Sequence, residues 1–235
     1  MAVATERMEG QPSRALGMLQ GNSRMGDEGA DILQERMVGI LTTIHFTLQS
    51  ERVATISEAN GRSALYLTAV SACLVALGFI APSTALGSGF YLVVFILFAV
   101  LTIVGIITFA RVVQSGLEDM ISARGIARIR RFYAEVAPGI ERWFVLPVQD
   151  EIRALHDEIG GGSRFQTLLT TASMVAVVTC ALVGVLTSIA AFSLCGLPLA
   201  IAAIIGLAGF GVSGWLHYRY QVRAWREALA ALMRA

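Results

Sequence analysis

Two long stretches of this chain carry no charge. No Asp, Glu, Lys or Arg occurs between Arg62 and Arg111, or between Arg164 and Arg219. One bilayer crossing takes about 20 apolar helical residues, so each stretch is long enough to cross twice. Both break near the middle at turn formers: Ala81-Pro82-Ser83-Thr84-Ala85-Leu86-Gly87-Ser88-Gly89, and Ser193-Leu194-Cys195-Gly196-Leu197-Pro198. The spans are then about 63–80, 90–110, 167–192 and 198–217. Backbone facing lipid must satisfy its own hydrogen bonds, so these segments are expected to be helices. The predicted fold is all-α: a polytopic membrane protein with four transmembrane helices in two hairpins, plus amphipathic cytoplasmic helices.

Composition agrees. Hydrophobic residues make up 55% of the chain and charged residues 15%, against about 25% in a soluble domain. Mean hydropathy is +0.66. The net charge of +1 gives no positive field to attract phosphates, so no nucleic-acid partner is expected.

All 18 basic residues are Arg, and none lies in either hairpin tip. Arg52, Arg62, Arg111, Arg124, Arg164, Arg219 and Arg223 flank the other ends. The positive-inside rule puts both termini and the central segment in the cytoplasm, with the chain multi-pass in the plasma (inner) membrane. Phe90 and Tyr91 suit an outer aromatic belt; Tyr66, Trp215, Tyr218 and Tyr220 suit an inner one. Residues 1–24 lack the apolar run of a signal peptide and read as a disordered cytoplasmic tail. The remaining divisions are a cytoplasmic amphipathic helix at 27–61, hairpin 1 at 63–110, a cytoplasmic helical segment at 111–164, hairpin 2 at 167–217 and an amphipathic tail at 218–235.

In the 27–61 helix, Leu33, Met37, Ile40, Leu41, Ile44 and Leu48 share a face, and Asn60-Gly61 is the expected bend. In the 111–164 segment, Val113, Leu117, Met120, Ile121, Ile126, Ile129, Tyr133 and Val136 keep a helical period until Pro138-Gly139. In the tail, Trp215, Tyr218, Val222, Trp225, Leu229 and Leu232 alternate at spacings of three and four, the a/d pattern of a coiled-coil seam. This seam is the candidate assembly surface. A short likeness between Glu58–Ser63 and Glu158–Ser163 rests on Glu, Gly and Ser alone over six positions, and chance accounts for it better than a repeat of helix plus hairpin.

Small residues let helices approach closely in lipid. Ala172, Ala176, Cys180, Gly184 and Ser188 recur every fourth position in the third span; Ala64, Thr68, Ala72 and Ala76 do so in the first. Each stripe serves either packing inside one bundle or self-association. The hydroxyls of Thr170, Thr171, Ser173, Thr179, Thr187 and Ser188 either line a polar path or bond to their own helix or a neighbour. Apart from His217 no ionisable residue lies in the spans, which argues against an ion-coupled transporter. Arg124, Arg128, Arg130 and Arg131 are candidates for contact with anionic lipid headgroups or an anionic ligand.

Catalytic signatures are weak. His156, Asp157 and Glu158, with Asp150 and Glu151 upstream, gather His and carboxylates, but consecutive residues point apart on a helix. There is no P-loop, dinucleotide fingerprint or nucleophile elbow. Neither an enzyme, a cofactor nor a metal site is expected. Cys73, Cys180 and Cys195 imply no disulfide framework.

The segment Ile126-Ala-Arg-Ile-Arg-Arg-Phe-Tyr-Ala-Glu-Val-Ala-Pro138 resembles segments in uncharacterised four-span membrane proteins of Arg-rich, Lys-poor bacterial proteomes. That resemblance carries no activity. A helix preceding a hairpin is also similar in plan to small membrane effectors of bacterial conflict systems. The expected function is a non-enzymatic membrane protein assembling through its cytoplasmic helices and small-residue faces, as a homo-oligomer or with a cytoplasmic protein partner, in a scaffold or regulatory role. The alternative is an oligomeric channel or membrane-permeabilising effector gated from the cytoplasmic side.

Overall fold

The structure, a computed structural model, describes residues 11–84, 87–144 and 170–234, with side chains described from residue 32 to 231 within those ranges. Four long helices account for most of them: α1 (Gln11–Ser83), α2 (Ser88–Val136), α3 (Thr171–Ser193) and α4 (Leu199–Arg234). A single 3-10 turn covers Ile140–Trp143, and no strand occurs among the described residues. All four helices are long and apolar enough to cross a membrane.

The turn formers act where the sequence puts them. At the end of α1 the Ser83 and Thr84 hydroxyls donate to the Ile80 carbonyl, satisfying a terminal acceptor. After α2, Pro138 cannot continue the helix and Gly139 takes φ 91°, a conformation open chiefly to glycine. Thr170 caps α3, its Oγ1 accepting the Ser173 N–H at 3.4 Å. Gly196, at φ 61°, turns the chain towards α4.

Some expectations change. α1 runs unbroken through Asn60-Gly61, where the expected bend does not occur. Neither residue has to leave helical geometry, and the Asn60 side chain serves instead as an acceptor between helices, taking the Thr171 hydroxyl at 3.3 Å. α2 and α4 likewise continue without a break past Arg111 and Arg219. α1 begins at Gln11, inside the segment read as a tail. Helix formers such as Ala15, Leu16, Met18 and Leu19 favour that conformation.

The chain divides into two units at Thr47 and Leu48. In the first unit, Ile32, Leu33, Met37, Ile40, Ile44 and Phe46 are exposed. The hydroxyls of Thr42, Thr43 and Thr47 donate to carbonyls one turn back, so their protons are satisfied within the helix.

The second unit is a four-helix bundle. α1 and α2 run antiparallel in a register set by their short connection. Arg52 stands as far before Ser83, where α1 ends, as its partner Asp119 stands after Ser88, where α2 begins. Tyr66 and Gly105, likewise equidistant from the connection, also meet. α3 and α4 are antiparallel too, with Gly184 against Gly206 and Cys180 near Gly214. The core comprises Tyr66, Val70 and Leu77 of α1, Val94, Phe98, Leu101, Phe109 and Val112 of α2, and Val175 and Leu182 of α3.

Polarity is inverted relative to a water-soluble bundle. Ser63, Tyr66, Thr179, Ser213 and Gln221 are inside. The outer surface carries Leu65 (74% exposed), Phe79 (79%), Ile103, Val177, Ile204 and Leu207.

Candidate functional site

Two polar layers cross the bundle. In the first, Tyr66 OH lies 3.0 Å from Thr179 Oγ1. Thr179 spends its own proton on the Val175 carbonyl at 2.8 Å, so the Tyr66 hydroxyl is the donor. Gly105 makes this crossing possible: a Cβ there would lie 2.5 Å from the Tyr66 oxygen and 2.8 Å from Cζ. Beside it, His217 Nδ1 lies 2.8 Å from the Ser213 carbonyl and 3.8 Å from Cys180 Sγ, and the Phe109 ring packs edge-on at 4.6 Å. The carbonyl requires the proton on Nδ1, which leaves Nε2 a buried acceptor without a partner among the described residues.

The second layer holds a cavity of about 170 Å³. Thr55, Ile56, Ala59 and Asn60 of α1 form one wall, and Val112, Val113, Ser115, Gly116 and Asp119 of α2 another. The start of α3 and Gln221 and Trp225 of α4 complete it. Asp119 is held from α1: Arg52 Nε donates to Oδ1 at 2.8 Å and Nη2 to Oδ2 at 3.4 Å. A two-pronged guanidinium–carboxylate contact fixes orientation as well as distance.

The four candidate arginines do not converge. Arg130 is buried and Arg124 half-buried, whereas Arg128 and Arg131 are exposed. Arg131 Nε donates to Glu135 at 3.1 Å, one turn along its own helix. The seam splits along its length. Trp215 and Tyr218 are exposed, with the Arg219 guanidinium 4.6 Å above the Trp215 ring. Val222, Trp225 and Leu229 are half-buried, and the Trp225 ring faces Gly116 of α2. The Leu232 side chain lies outside the described residues. Arg223 is fully exposed, and the Glu227 carboxylate beside it raises its pKa further.

The third-span stripe packs against α4. Ala172, Cys180 and Gly184 are buried, and Ala176 and Ser188 half-buried. The stripe at Ala64, Thr68, Ala72 and Ala76 points away from the bundle. Tyr66, read as a belt residue, is a core residue instead, because its hydroxyl has a partner in α3 and needs no interfacial water. The hydroxyls of Thr179 and Thr187 both donate to carbonyls of their own helix. His156 and the surrounding carboxylates lie outside the described residues. Among the described residues, no group of three metal-ligating side chains assembles, and all three cysteines are free.

Arg52–Asp119, Ser115 and Gln221 were not marked by any sequence motif. The first was accessible from the equal distances of its partners to the α1–α2 connection. The other two gave no signal, since an isolated Ser or Gln on a helix is ordinary at a surface.

No protein-family model matches this chain, and neither a curated protein nor a solved structure matches it.

Proposed function

We propose that this chain is a non-enzymatic integral membrane protein that crosses the bilayer four times, as two helical hairpins, and assembles through helices outside it. The carrying observation is the inverted bundle, with large apolar side chains outward along all four helices and polar side chains such as Tyr66, Thr179 and Gln221 inside. In water such a surface drives aggregation; in hydrocarbon it is the favourable exterior. The arginine distribution supports cytoplasmic termini in a plasma (inner) membrane.

Assembly is supported by the first unit. Leu33, Met37, Ile40 and Ile44, spaced four, three and four, form an exposed apolar row on a helix. The partner is a second copy or a cytoplasmic protein, and the role is a scaffold or regulator. The Thr179 and Thr187 hydroxyls, each donating to a carbonyl of its own helix, favour this reading over a pore within one chain.

The test is subunit counting by single-molecule photobleaching of full-length protein in lipid nanodiscs, for wild type and for I40E/I44E. The expected result is an oligomer that becomes a folded monomer on double substitution. A wild-type monomer that also captures no cytoplasmic protein, or an oligomer indifferent to the substitutions, overturns assembly through this helix.

A further inference from the structure

We propose that the cavity between Asn60, Ser115, Thr171 and Gln221 binds a small zwitterion, its carboxylate at the N-terminus of α3 and its ammonium at Asp119. The cavity belongs to the bundle itself, and the proposal does not depend on which side of a membrane it faces.

Ser115 and Gln221 carry the argument. They are only 7% and 8% exposed, both line the cavity, and neither makes a side-chain hydrogen bond among the described residues. Their polar atoms are open to the cavity and not sealed into packed core, so each is free to bond to whatever occupies it. Two such groups facing one space mark a place where an occupant supplies the missing partners.

The ends of that space differ in sign. At one end lie Thr171 and Ala172, in the first turn of α3, a helix of 23 residues. Their N–H groups have no helical acceptor by position, and the helix dipole adds positive potential. At the other end lies the Asp119 carboxylate. Arg52 occupies only part of its acceptor capacity and does not itself line the cavity. The Trp225 ring borders the same space and suits a neighbouring cation. A simple anion would meet Asp119, and a simple cation the positive end of α3. A molecule carrying both charges satisfies both ends.

Spacing and size narrow the class. Asn60 bonds to Thr171, and Arg52 to Asp119. Along α1, Arg52 and Asn60 are separated by about 12 Å, at 1.5 Å of rise per position. Contacts of about 3 Å at each end leave about 6 Å between the ligand's charges. That exceeds the separation in an α-amino acid and fits a short ω-amino acid. The volume of about 170 Å³ is well under that of a pocket for drug-sized molecules, about 300–1,000 Å³.

Trp225 provides the readout. Trp143 and Trp215 are exposed, so full-length W143F/W215F keeps Trp225 as the sole indole. The solubilised protein is titrated with glycine, β-alanine, γ-aminobutanoate and ε-aminohexanoate, with butanoate and butylamine as single-charge controls. The expected result is a saturable change in Trp225 emission, tightest for γ-aminobutanoate and at least tenfold weaker for both controls. Ser115→Ala and, as an independent variant, Gln221→Met each weaken it about tenfold, the loss of one bond to a charged group. Asp119→Asn removes the preference for γ-aminobutanoate over butanoate. A flat response to the whole series in protein that elutes and melts as wild type overturns the proposal. So does equal binding of butanoate and γ-aminobutanoate, or binding unchanged in folded Ser115→Ala and Gln221→Met.

Discussion

Arg52 and Asp119, far apart in sequence, meet through two parallel N–H···O contacts of 2.8 and 3.4 Å that tie α1 to α2. The side chains are 28% and 13% exposed, so the pair is neither a solvated surface contact nor fully desolvated. Asp119→Ala is expected to cost about 2 kcal/mol, mainly by leaving Arg52 half-buried without its acceptor. A double-mutant cycle with Arg52→Ala, followed by thermal unfolding in detergent, checks it. The double variant should be less unstable than the sum of the two singles; strict additivity would show that the pair contributes nothing.

At the Tyr66–Gly105–Thr179 crossing, losing the bond should matter less than losing the space. Tyr66→Phe removes one buried hydrogen bond and should cost about 1 kcal/mol. Gly105→Val places carbons where the Tyr66 ring now sits, and overpacking of this kind costs about 1–3 kcal/mol or more. Melting temperatures should therefore fall in the order wild type, Tyr66→Phe, Gly105→Val. A reversed order would mean that α2 moves away from α1 easily.

The α3–α4 contact makes a prediction of sign. A Cβ at Gly206 would lie 2.7 Å from the Gly184 carbonyl oxygen, whereas one at Gly78 or Gly211 meets nothing within 4 Å. Gly206→Ala should destabilise, because backbone has to shift. Gly78→Ala and Gly211→Ala should be neutral or stabilise by up to about 1 kcal/mol, the helix-propensity gain over glycine. The three substitutions are chemically identical, so a difference in unfolding temperature isolates the packing.

Cysteine accessibility tests the proposed orientation. Cys195 is exposed beside the α3–α4 connection, and Cys180 is buried against α4. A membrane-impermeant maleimide applied outside intact cells should label wild type, and Cys195→Ser should bring labelling to background. Labelling only after the cells are opened would invert the proposed topology.

Much of the architecture was legible in the chain. The uncharged stretches and their interruptions set four helices and two connections. Once the α1–α2 connection is located, helix geometry alone brings residues at equal distance from it to the same level, Arg52 to Asp119 and Tyr66 to Gly105. The Asn60-Gly61 bend misled because those residues are turn formers only where the chain has a reason to leave the helix.

Length, helicity and axial level were therefore written in the residue order. Which side of each helix faces its neighbours emerged only from packing. The stripe at Ala64, Thr68, Ala72 and Ala76 points outward while the equally regular stripe from Ala172 to Ser188 packs inward. Trp225 turns from an apparent seam residue into a cavity wall. Helices that are apolar all round lose the contrast that orients a helix in water. The exposed surface of this bundle is as apolar as its core, so orientation follows where glycine lets backbones touch and where a hydroxyl, amide or carboxylate finds its partner.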